Sequence, residues 1–316
     1  MQRLDGAAPV PAHLAGGIVA LGNFDGFHLG HQAVVGAAVA RARAEGRPAL
    51  VATFDPHPVR LFKPGAAPFR LTGLDQRARL FADAGVDAMM VFRFDAALAA
   101  LTARAFVEER LLGDLQIGGV VTGEDFTFGR GRSGTVATLR EWGRELGFSS
   151  DAVAPVALDG ETVSSTRIRQ HLAAGEPREA ARLLTRPFTI EGVVQHGDKL
   201  GRTIGYPTAN LDMGEYLRPA YGIYAVRGTL EDGRVLDGAA NLGIRPQFDP
   251  PKELLEPHFF DFSGDLYGQR LSVELIEYLR PEAKFDSLDA LVTQMDADCA
   301  RARAILAQIP GSHNPA

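Results

Sequence analysis

The first half of the chain alternates short apolar runs with longer amphipathic stretches, which is the pattern of strands and crossover helices in a parallel sheet. Five apolar runs predict buried strands at 18–24, 49–54, 88–94, 118–122 and 152–157. Helical spacing predicts helices at 31–45, 75–84, 102–112 and 135–146, each followed by a glycine as its stop: Gly46, Gly85, Gly113 and Gly147. This pattern indicates a doubly wound α/β sheet, which binds ligands beyond the carboxyl ends of its strands.

After Ser165 the pattern changes to two short helices, predicted at 166–174 and 177–185, and then to β-type runs at 189–195, 222–230, 235–241, 258–262 and 271–278. Asp232-Gly233 predicts a hairpin turn, and glycine-rich connections between antiparallel strands favour a small β-barrel. A terminal helix is predicted at 287–308, with one side packed across the barrel: Leu288, Leu291, Met295, Ala302 and Ile305. We therefore predict two domains, 1–185 and 186–316, divided at Arg186-Pro187.

Composition and charge narrow the class of protein. The 316 residues suffice for two domains, and 46% hydrophobic with 23% charged residues is typical of a globular protein. A net charge of −6 repels a phosphate backbone, so nucleic acid is not expected as a partner. The single cysteine, Cys299, excludes an internal disulfide, and no apolar run has the length of a membrane span or signal peptide. We expect a cytoplasmic protein with no membrane partner.

The first candidate site is the segment Gly-Asn-Phe-Asp-Gly-Phe-His-Leu-Gly-His at 22–31, where the first predicted strand meets the first predicted helix. His28 and His31 are three residues apart and share one face, and Gly26 and Gly30 allow a ligand to approach the backbone. A helix N-terminus attracts phosphate, and imidazoles there can donate to a triphosphate and to departing pyrophosphate. The alternatives are two turn residues or a zinc pair, the latter with Asp55 and His57.

The second candidate site is a glycine-rich stretch that opens the second domain. Four glycines, Gly192, Gly197, Gly201 and Gly205, can fold backbone amides around phosphates, although the spacing is not that of a P-loop. Thr208 and Asn210 alternate along an extended segment, so both side chains lie on one face and can ligate Mg²⁺ bound to ATP. Glycine-rich loops in barrels are more often simple turns, which is the alternative interpretation.

Further segments follow these two sites in order. The first half contains Thr53-Phe54-Asp55-Pro56-His57-Pro58, the run Gly-Glu-Asp-Phe-Thr-Phe-Gly at 123–129 and Ser-Ser-Thr-Arg-Ile-Arg at 164–169. The second half contains characteristic runs at 205–211, 241–243, 255–262, 266–268 and 284–288. The segment 22–31, which we call the histidine loop, resembles the His-x-Gly-His signature of the nucleotidyltransferase superfamily. Together the segments resemble the prokaryotic bifunctional riboflavin kinase and FAD synthetase family over nearly the whole chain.

The resemblance implies roles for residues of the first domain. Those implied to bind ATP are Gly22, Phe24, Asp25, Gly26, His28, Gly30, His31, Ser164, Ser165, Thr166 and Arg167. Those implied to seat the flavin are Asp55, Pro56, His57, Asp125, Phe128 and Gly129. On the residues alone, a Ser-Ser-Thr run is typical of a helix cap, and Asp125 is as well explained by a turn.

In the second domain the resemblance implies flavin contacts at Asn241, Gly243 and Glu256, and ATP phosphate contacts at Gly197, Gly201 and Gly205. Glu256 matches the base that accepts the proton of the riboflavin hydroxyl, whereas an isolated strand glutamate is usually a solvated surface charge. Two residues beside the implied flavin pocket depart from the family pattern. Gln247 replaces a threonine, and Pro257 replaces an aliphatic residue.

The function implied is flavin cofactor biosynthesis. The second domain would convert riboflavin and ATP to FMN and ADP, and the first would convert FMN and ATP to FAD and pyrophosphate, with Mg²⁺ accompanying ATP. One alternative is a nucleotidyltransferase for another phosphorylated substrate. Another is a flavin-binding module without catalytic activity. A homo-oligomer is compatible with the sequence, which leaves the oligomeric state open.

Overall fold

The computed structural model describes residues 1–6, 9–196, 205–245 and 252–309. The chain divides into two compact units. The first unit contains Met1–Ala67 and Leu74–Ser164, and the second contains Pro68–Gly73 and Ser165–Ala316. This division lies earlier in the chain than the boundary predicted at 185/186, because the two helices before that boundary belong to the second unit.

The first unit is built on a six-stranded parallel sheet in the order β1-β4-β3-β2-β5-β8. Two antiparallel ribbons, β6–β7 and β9–β10, lie outside it. The strands are β1 (Gln2–Leu4), β2 (Ile18–Leu21), β3 (Ala49–Asp55), β4 (Ala88–Arg93), β5 (Gly119–Gly123), β6 (Thr127–Phe128), β7 (Gly134–Thr135), β8 (Ser149–Val153), β9 (Ala157–Leu158) and β10 (Glu161–Thr162).

Helices connect the strands and cover both faces of the sheet, which confirms the doubly wound α/β class. They are α1 (Leu29–Glu45), α2 (Pro58–Phe62), α3 (Leu74–Asp83), α4 (Ala96–Ala100), α5 (Ala103–Ala105), a π-helical turn (Phe106–Asp114) and α6 (Val136–Leu146), with short 3₁₀ turns at Ala12–Leu14 and Arg130–Arg132. Val35 and Phe81 belong to the apolar cluster on one side, and Phe106 and Leu139 belong to the other. Buried on both faces, β2 is apolar throughout, as a parallel strand requires.

Most of the predicted elements are confirmed within a few residues, and the exceptions have local causes. Gly46, Gly85 and Gly147 adopt left-handed backbone angles at or just after helix ends, as predicted. Gly113 does not end its helix, because the backbone continues as a π-helical turn to Asp114. The strand predicted at 152–157 begins earlier, at Ser149. It is an edge strand that pairs only with β5, so it tolerates polar residues. Because of these residues, its first part lacks the apolar pattern by which the other strands are predicted.

The second unit is an antiparallel barrel that confirms the predicted fold. Its strands follow the order β11-β16-β13-β14-β15-β12, and the Gln195 N–H donates to the Asn210 carbonyl at 2.8 Å, which links the two outermost strands. The elements are α7 (Ser165–Ala173), α8 (Pro177–Leu184), β11 (Phe188–Val193), β12 (Leu211–Asp212), β13 (Gly222–Leu230), β14 (Val235–Arg245), β15 (Lys252–Phe259), β16 (Arg270–Arg280) and α9 (Leu288–Leu306).

Two predictions for the barrel elements need correction. The strand predicted at 258–262 is instead β15, which begins at Lys252, and Pro257 within it interrupts the β pattern of the sequence. The predicted inner side of α9 is partly wrong, since Leu288 is 58% exposed. The helix docks through Asp298, which is 6% exposed and receives bonds of 2.7–3.0 Å from the Arg280 guanidinium. Ala302 and Leu306 are buried one and two turns further along.

No helix among the described residues is both long enough and apolar enough to cross a membrane.

The packing of α8 predicts where the second unit can be cut. Ala180, Leu183 and Leu184 are at most 2% exposed, and α8 contacts β11 and β16. We expect a fragment 165–316 to be more stable than a fragment 186–316 by about 4 kcal/mol, because loss of two buried leucines costs about 2 kcal/mol each. Urea unfolding of both fragments, followed by circular dichroism, measures the difference. Equal transition midpoints would show that α8 contributes nothing to the barrel.

The end of α9 depends on Arg227 of β13, which is 5% exposed. Its guanidinium donates to the carbonyl of Leu306 at 3.0 Å and to that of Ile309, where a cation also complements the helix dipole. We expect Arg227→Ala to weaken local protection by about 2 kcal/mol, or about 30-fold in exchange rate. Hydrogen exchange of the last α9 amides measures this. Arg234→Ala, which removes an exposed pair with Asp232, is the control and should leave α9 unchanged.

Candidate active sites

The histidine loop of the first unit forms a compact turn between β2 and α1. His28 caps α1, and its Nδ1 accepts a hydrogen bond from the His31 N–H at 3.4 Å. The two imidazole rings stack with centroids 3.6 Å apart and planes inclined by 19°. A Cβ on Gly30 would lie 3.2 Å from the His28 ring, so glycine allows this ring to lie against the backbone. The structure therefore brings both predicted histidines to the N-terminus of α1, a helix of 17 residues.

The same turn holds two aromatic residues in left-handed backbone conformations. Phe24 has a φ of 50° and Phe27 a φ of 44°, and Gly26 between them has a φ of 92°. Such angles are costly for residues with a Cβ and persist only where the surroundings enforce them. Here the Phe24 ring is 2% exposed and meets the His31 ring edge-on at 5.3 Å. The conformation of the turn and the position of His31 are thus linked through Phe24.

Asp55, Pro56 and His57, which we call the flavin segment, lie at the end of β3. This strand pairs with β2, the strand that leads into the histidine loop. Asp55 is the last residue of β3, and Pro56 follows it through a cis peptide bond. His57 caps α2, and its Nδ1 accepts from the Val59 N–H at 3.2 Å. The ring of Phe62, at the end of α2, is 69% exposed. Sequence reasoning missed Phe62 because the five-residue α2 was not predicted.

The segment 123–129 separates into an exposed and a buried part. Asp125 is exposed in the turn after β5. Phe128 is 6% exposed and packs against Phe106, with ring centroids 5.7 Å apart. Gly129 has a φ of 72°, and a Cβ there would lie 2.5 Å from Ala103 Cα, so close packing requires glycine. The flavin roles of these residues remain predictions, and Asp125 is the one with an exposed side chain.

Two buried polar atoms lack hydrogen-bond partners among the described residues at the point between β2 and β5 where the strand order of the first sheet reverses. Asn23 Oδ1 follows β2 and Thr122 Oγ1 lies in the neighbouring β5, and both are buried without a hydrogen-bond partner among the described residues. Ligands of open parallel sheets bind at this reversal point. An unpaired buried acceptor is costly, so these atoms indicate a polar ligand or ordered water at this place.

The last segment of the first site lies across the division of the chain. Ser164 ends the first unit, just after Val163, whose carbonyl oxygen is 3.7 Å from the position of a Cβ on Gly30. The segment before Ser164 therefore passes the histidine loop. Ser165, Thr166 and Arg167 form the start of α7 in the second unit, as the helix-cap alternative also predicts.

The zinc alternative for the first unit requires further ligands beside His28 and His31, since a protein site usually supplies zinc with three or four ligands. Among the described residues, no three or more His, Cys, Asp and Glu side chains form a group that could hold a metal ion.

The second unit aligns three of its predicted site residues in one row across neighbouring strands. Asn241 of β14 pairs directly with Glu256 of β15. The Ala209 N–H donates to the Pro257 carbonyl at 2.9 Å and Leu211 pairs with Leu255, which places Asn210 opposite Glu256. Directly opposed residues of antiparallel strands share one face of the sheet. Asn210, Glu256 and Asn241 therefore form a polar row, which we call the carboxamide–carboxylate row.

One atom of the carboxamide–carboxylate row is unsatisfied. Asn241 Oδ1 is buried and has no hydrogen-bond partner among the described residues. Asn210 is itself only 7% exposed. Burial of an amide oxygen without a donor is destabilising unless a ligand or water supplies one. The row thus has an open hydrogen-bonding position next to Glu256.

A shared arginine holds the Glu256 carboxylate. The Arg245 guanidinium forms ion pairs with Glu256 and, at 3.2 Å, with Glu282. A Cβ on Gly243 would fall 2.2 Å from Glu282 Oε1, so glycine leaves the room in which this second carboxylate lies. Burial lowers the pKa of Arg245, but hydrogen bonds and charges from the two carboxylates raise it above its ordinary value. Arg245 is thus a permanent cation beside Glu256.

Thr208 lies at a cavity of about 450 Å³ on the same unit. The cavity is lined mainly by apolar and aromatic side chains, among them Phe259, Phe262 and Tyr267. The segment before Thr208 is anchored at two points, since the Tyr206 hydroxyl bonds to Asp296 of α9 and His258 Nδ1 lies 2.9 Å from the Pro207 carbonyl. The hydrogen bond to Asp296 raises the pKa of Tyr206 to about 12.

Three glycines and Gln247 are the remaining residues of the second unit that the sequence analysis singles out. Gly205 has a φ of 87°, a left-handed angle that favours glycine. Gly197, Gly201 and Gln247 lie outside the described residues.

The two units define a class: a nucleotidyltransferase-type sheet with a histidine loop at its first helix, followed by an antiparallel barrel with a polar row. Residues 10–167 match the FAD synthetase family, and residues 184–306 match the riboflavin kinase family. The chain belongs to the family of bifunctional riboflavin kinases/FMN adenylyltransferases. Its predicted place in flavin cofactor biosynthesis is thereby confirmed.

Relatives resemble the chain from end to end. The bifunctional riboflavin kinase/FMN adenylyltransferase of Escherichia coli strain K12 is 40% identical over 91% of this chain and 92% of the relative. The enzyme of the same name from Pseudomonas fluorescens is 41% identical over 99% of this chain and all of the relative. A crystal structure from Streptococcus pneumoniae, described as a macrolide-efflux protein, has a TM-score of 0.85 and 32% identity, and covers 96% of this chain and 99% of its own.

Proposed function

We propose that the first unit transfers the adenylyl group of ATP to FMN at the histidine loop. The FMN phosphate is already an anion at pH 7, since its second pKa is about 6, so no general base is needed. One of its oxygens attacks the α-phosphorus of ATP, and the bond to the bridging oxygen of pyrophosphate breaks. The observation that supports this is the stacked pair His28 and His31 at the start of α1, where ring N–H groups and the helix N-terminus stabilise the departing charge.

The remaining predicted residues of this site would bind and orient the substrates. Gly22, Phe24, Asp25, Gly26 and Gly30 shape the turn that receives the ATP phosphates, with the segment 164–167 as a further phosphate contact. Asp55, Pro56, His57, Asp125, Phe128 and Gly129 would form the flavin side, to which we add Phe62. Its exposed ring directly follows Asp55, Pro56 and His57 along the chain, and a flat aromatic surface suits an isoalloxazine ring.

Replacing both His28 and His31 by alanine tests the first site. We expect FAD formation from FMN to fall by at least about 100-fold, the usual effect of losing a group that stabilises developing charge. Riboflavin phosphorylation should be unchanged, because both histidines lie in the first unit. Chromatographic separation of riboflavin, FMN and FAD over time gives both rates in one reaction. Equal losses of FMN and FAD production in a folded variant would refute the separation of the two sites.

For the second unit, we propose that the carboxamide–carboxylate row binds riboflavin and that Glu256 accepts the proton of its hydroxyl. An alcohol is not ionised at pH 7, so a carboxylate within reach supplies base catalysis. The alcohol oxygen then attacks the γ-phosphorus of ATP, and ADP leaves. Asn241 Oδ1, buried and open, would accept a hydrogen bond from the flavin. Gly243, which makes room for the Glu282 carboxylate, is the further residue that we assign to the flavin side.

The hydroxyl of Thr208 and the amide oxygen of Asn210 fit Mg²⁺, which prefers hard oxygen ligands and retains several waters. Asn210 is itself a member of the row, opposite Glu256, and Thr208 precedes it by two residues along the chain. Mg²⁺ bound with ATP would neutralise phosphate charge. The glycines Gly197, Gly201 and Gly205 would surround the phosphates with backbone amides.

Arg245 would hold the Glu256 carboxylate in a fixed orientation until the substrate arrives. The pair is 15% and 19% exposed, respectively, so solvent screens it only partly. Since Arg245 also pairs with Glu282, it can remain neutralised when Glu256 turns to the hydroxyl. We propose a cytoplasmic enzyme, in agreement with its one free cysteine and its ATP substrate, and we leave a homo-oligomer as a hypothesis.

Glu256→Gln tests the base assignment, because glutamine keeps the shape of the side chain and removes its basicity. We expect riboflavin kinase turnover to fall by about 100- to 10,000-fold with riboflavin binding nearly unchanged. Adenylylation of supplied FMN should continue. The matched control is Glu253→Gln, on the opposite face of the same strand, where the carboxylate pairs with Arg218. Parental kinase turnover in Glu256→Gln would remove this residue from the mechanism.

A further inference from the structure

Arg77 is a buried cation in α3, a helix that none of the predicted site segments includes. The residue is 3% exposed. Its Nη1 donates to the backbone carbonyl of Asn23 at 2.9 Å and to Thr53 Oγ1 at 3.0 Å. Its Nη2 lies 3.9 Å from Asp55 Oδ1. One guanidinium therefore contacts the histidine loop, the end of β3 and the start of the flavin segment.

Stability alone is a weak explanation for a buried arginine. Removing a guanidinium from water carries a large desolvation penalty, and well-packed apolar groups at such positions are often at least as stabilising. A planar guanidinium, in contrast, fixes the direction of several acceptors at once.

On one side, Arg77 fixes the entry to the strained turn. The Asn23 carbonyl belongs to the peptide that precedes Phe24, whose φ is 50°. Thr53 Oγ1 donates to the same carbonyl at 2.9 Å, so two donors hold this peptide plane. The Phe24 ring in turn packs edge-on against the His31 ring, with ring centroids 5.3 Å apart. Rotation of the Asn23 peptide would displace Phe24, and with it the imidazole of His31.

On the other side, Arg77 faces the residue that begins the flavin segment. Asp55 ends β3 and is followed directly by Pro56 and His57. The ion pair with Asp55 and the bond to Asn23 come from the two Nη groups of a single planar cation. The distance between the two segments is thus set partly by the guanidinium itself.

We propose that Arg77 is a positioning residue for adenylyl transfer, holding the histidine loop and the flavin segment at the separation that in-line attack requires. The inference rests on the proposed role of the histidine loop. In this role Arg77 acts through the Asn23 peptide, the Phe24 and His31 rings, and Asp55, rather than by contact with a substrate. Its loss changes how well bound FMN and ATP are aligned, more than how tightly either binds.

The test compares three variants of the full chain. Arg77→Met removes the donors at similar length, Arg77→Lys keeps the cation without the planar fork, and Arg79→Met makes the same change on an exposed residue of α3. We expect Arg77→Met to lower kcat for FMN adenylylation by about 100-fold, the effect of a misalignment of about 1 Å. KM for ATP and FMN should change far less, Arg77→Lys should recover part of kcat, and Arg79→Met should equal the parent.

Two internal controls separate positioning from folding. Riboflavin phosphorylation by the same molecules should keep its parental rate, and fluorescence of Trp142, the one tryptophan, reports the fold of the first unit. If Arg77→Met unfolds this unit, Arg77→Gln is used as the test instead. We expect this variant to be folded and to have a reduced kcat. A folded Met or Gln variant with parental kcat overturns the proposal, as does a loss that Arg77→Lys does not relieve.

The outcomes also distinguish this inference from the function on which it rests. A variant lacking His28 and His31 that still makes FAD rejects the histidine loop as the site, and with it the role of Arg77. If FAD formation is slow in the histidine variant but has its parental rate in Arg77→Met, the role of Arg77 is rejected and that of the histidine loop is kept.

Discussion

Backbone hydrogen bonds between strands set the position of the candidate residues in both units. In the barrel, the pairing of β14 with β15 puts Asn241 opposite Glu256, and the Ala209 to Pro257 bond continues the register so that Asn210 completes the row. A shift of one residue in either ladder would turn Glu256 to the opposite face, because side chains alternate along a strand. In the first unit, parallel pairing brings the ends of β2, β3 and β5 to one edge of the sheet, where the histidine loop, Asp55 and Thr122 lie.

Both units leave polar groups open where catalysis is proposed. Asn23 Oδ1 and Thr122 Oγ1 in the first unit and Asn241 Oδ1 in the second are buried without partners among the described residues. The turn after β2 adds backbone strain at Phe24 and Phe27. These are costs to folding that a bound substrate can offset, since it supplies donors and fills the space beside the strained turn. The concentration of such costs at the two proposed sites is consistent with selection for binding.

The charged and polar groups at the two proposed sites differ, in agreement with the two proposed reactions. FMN brings its own anionic nucleophile, and the first site presents imidazoles, glycine amides and a helix N-terminus. Riboflavin brings a neutral hydroxyl, and the second site presents Glu256, held by Arg245 and balanced by Glu282. A substrate that is already ionised needs positioning and charge stabilisation, whereas an alcohol also needs a place for its proton.

The sequence by itself determined the fold class of both halves and the segments that carry the chemistry. Apolar periodicity is a local property, so the strands and helices of the first half and the Asp232-Gly233 hairpin could be read directly, and the histidine loop was recognisable by its spacing. Elements without that periodicity escaped: β1 and α2 are too short, and β15 contains Pro257.

Only the tertiary structure decided which distant residues meet. Arg77 lies 54 positions from Asn23, and Arg245 lies 37 positions from Glu282, yet each pair is in hydrogen-bond contact. No local pattern marks such residues, because an arginine in a helix or at the end of a strand is usually a surface charge. Strand register, helix packing and the space left by Gly243 bring them together, and these depend on the whole chain. The sequence therefore names the candidates for catalysis, while long-range packing selects the residues that orient them.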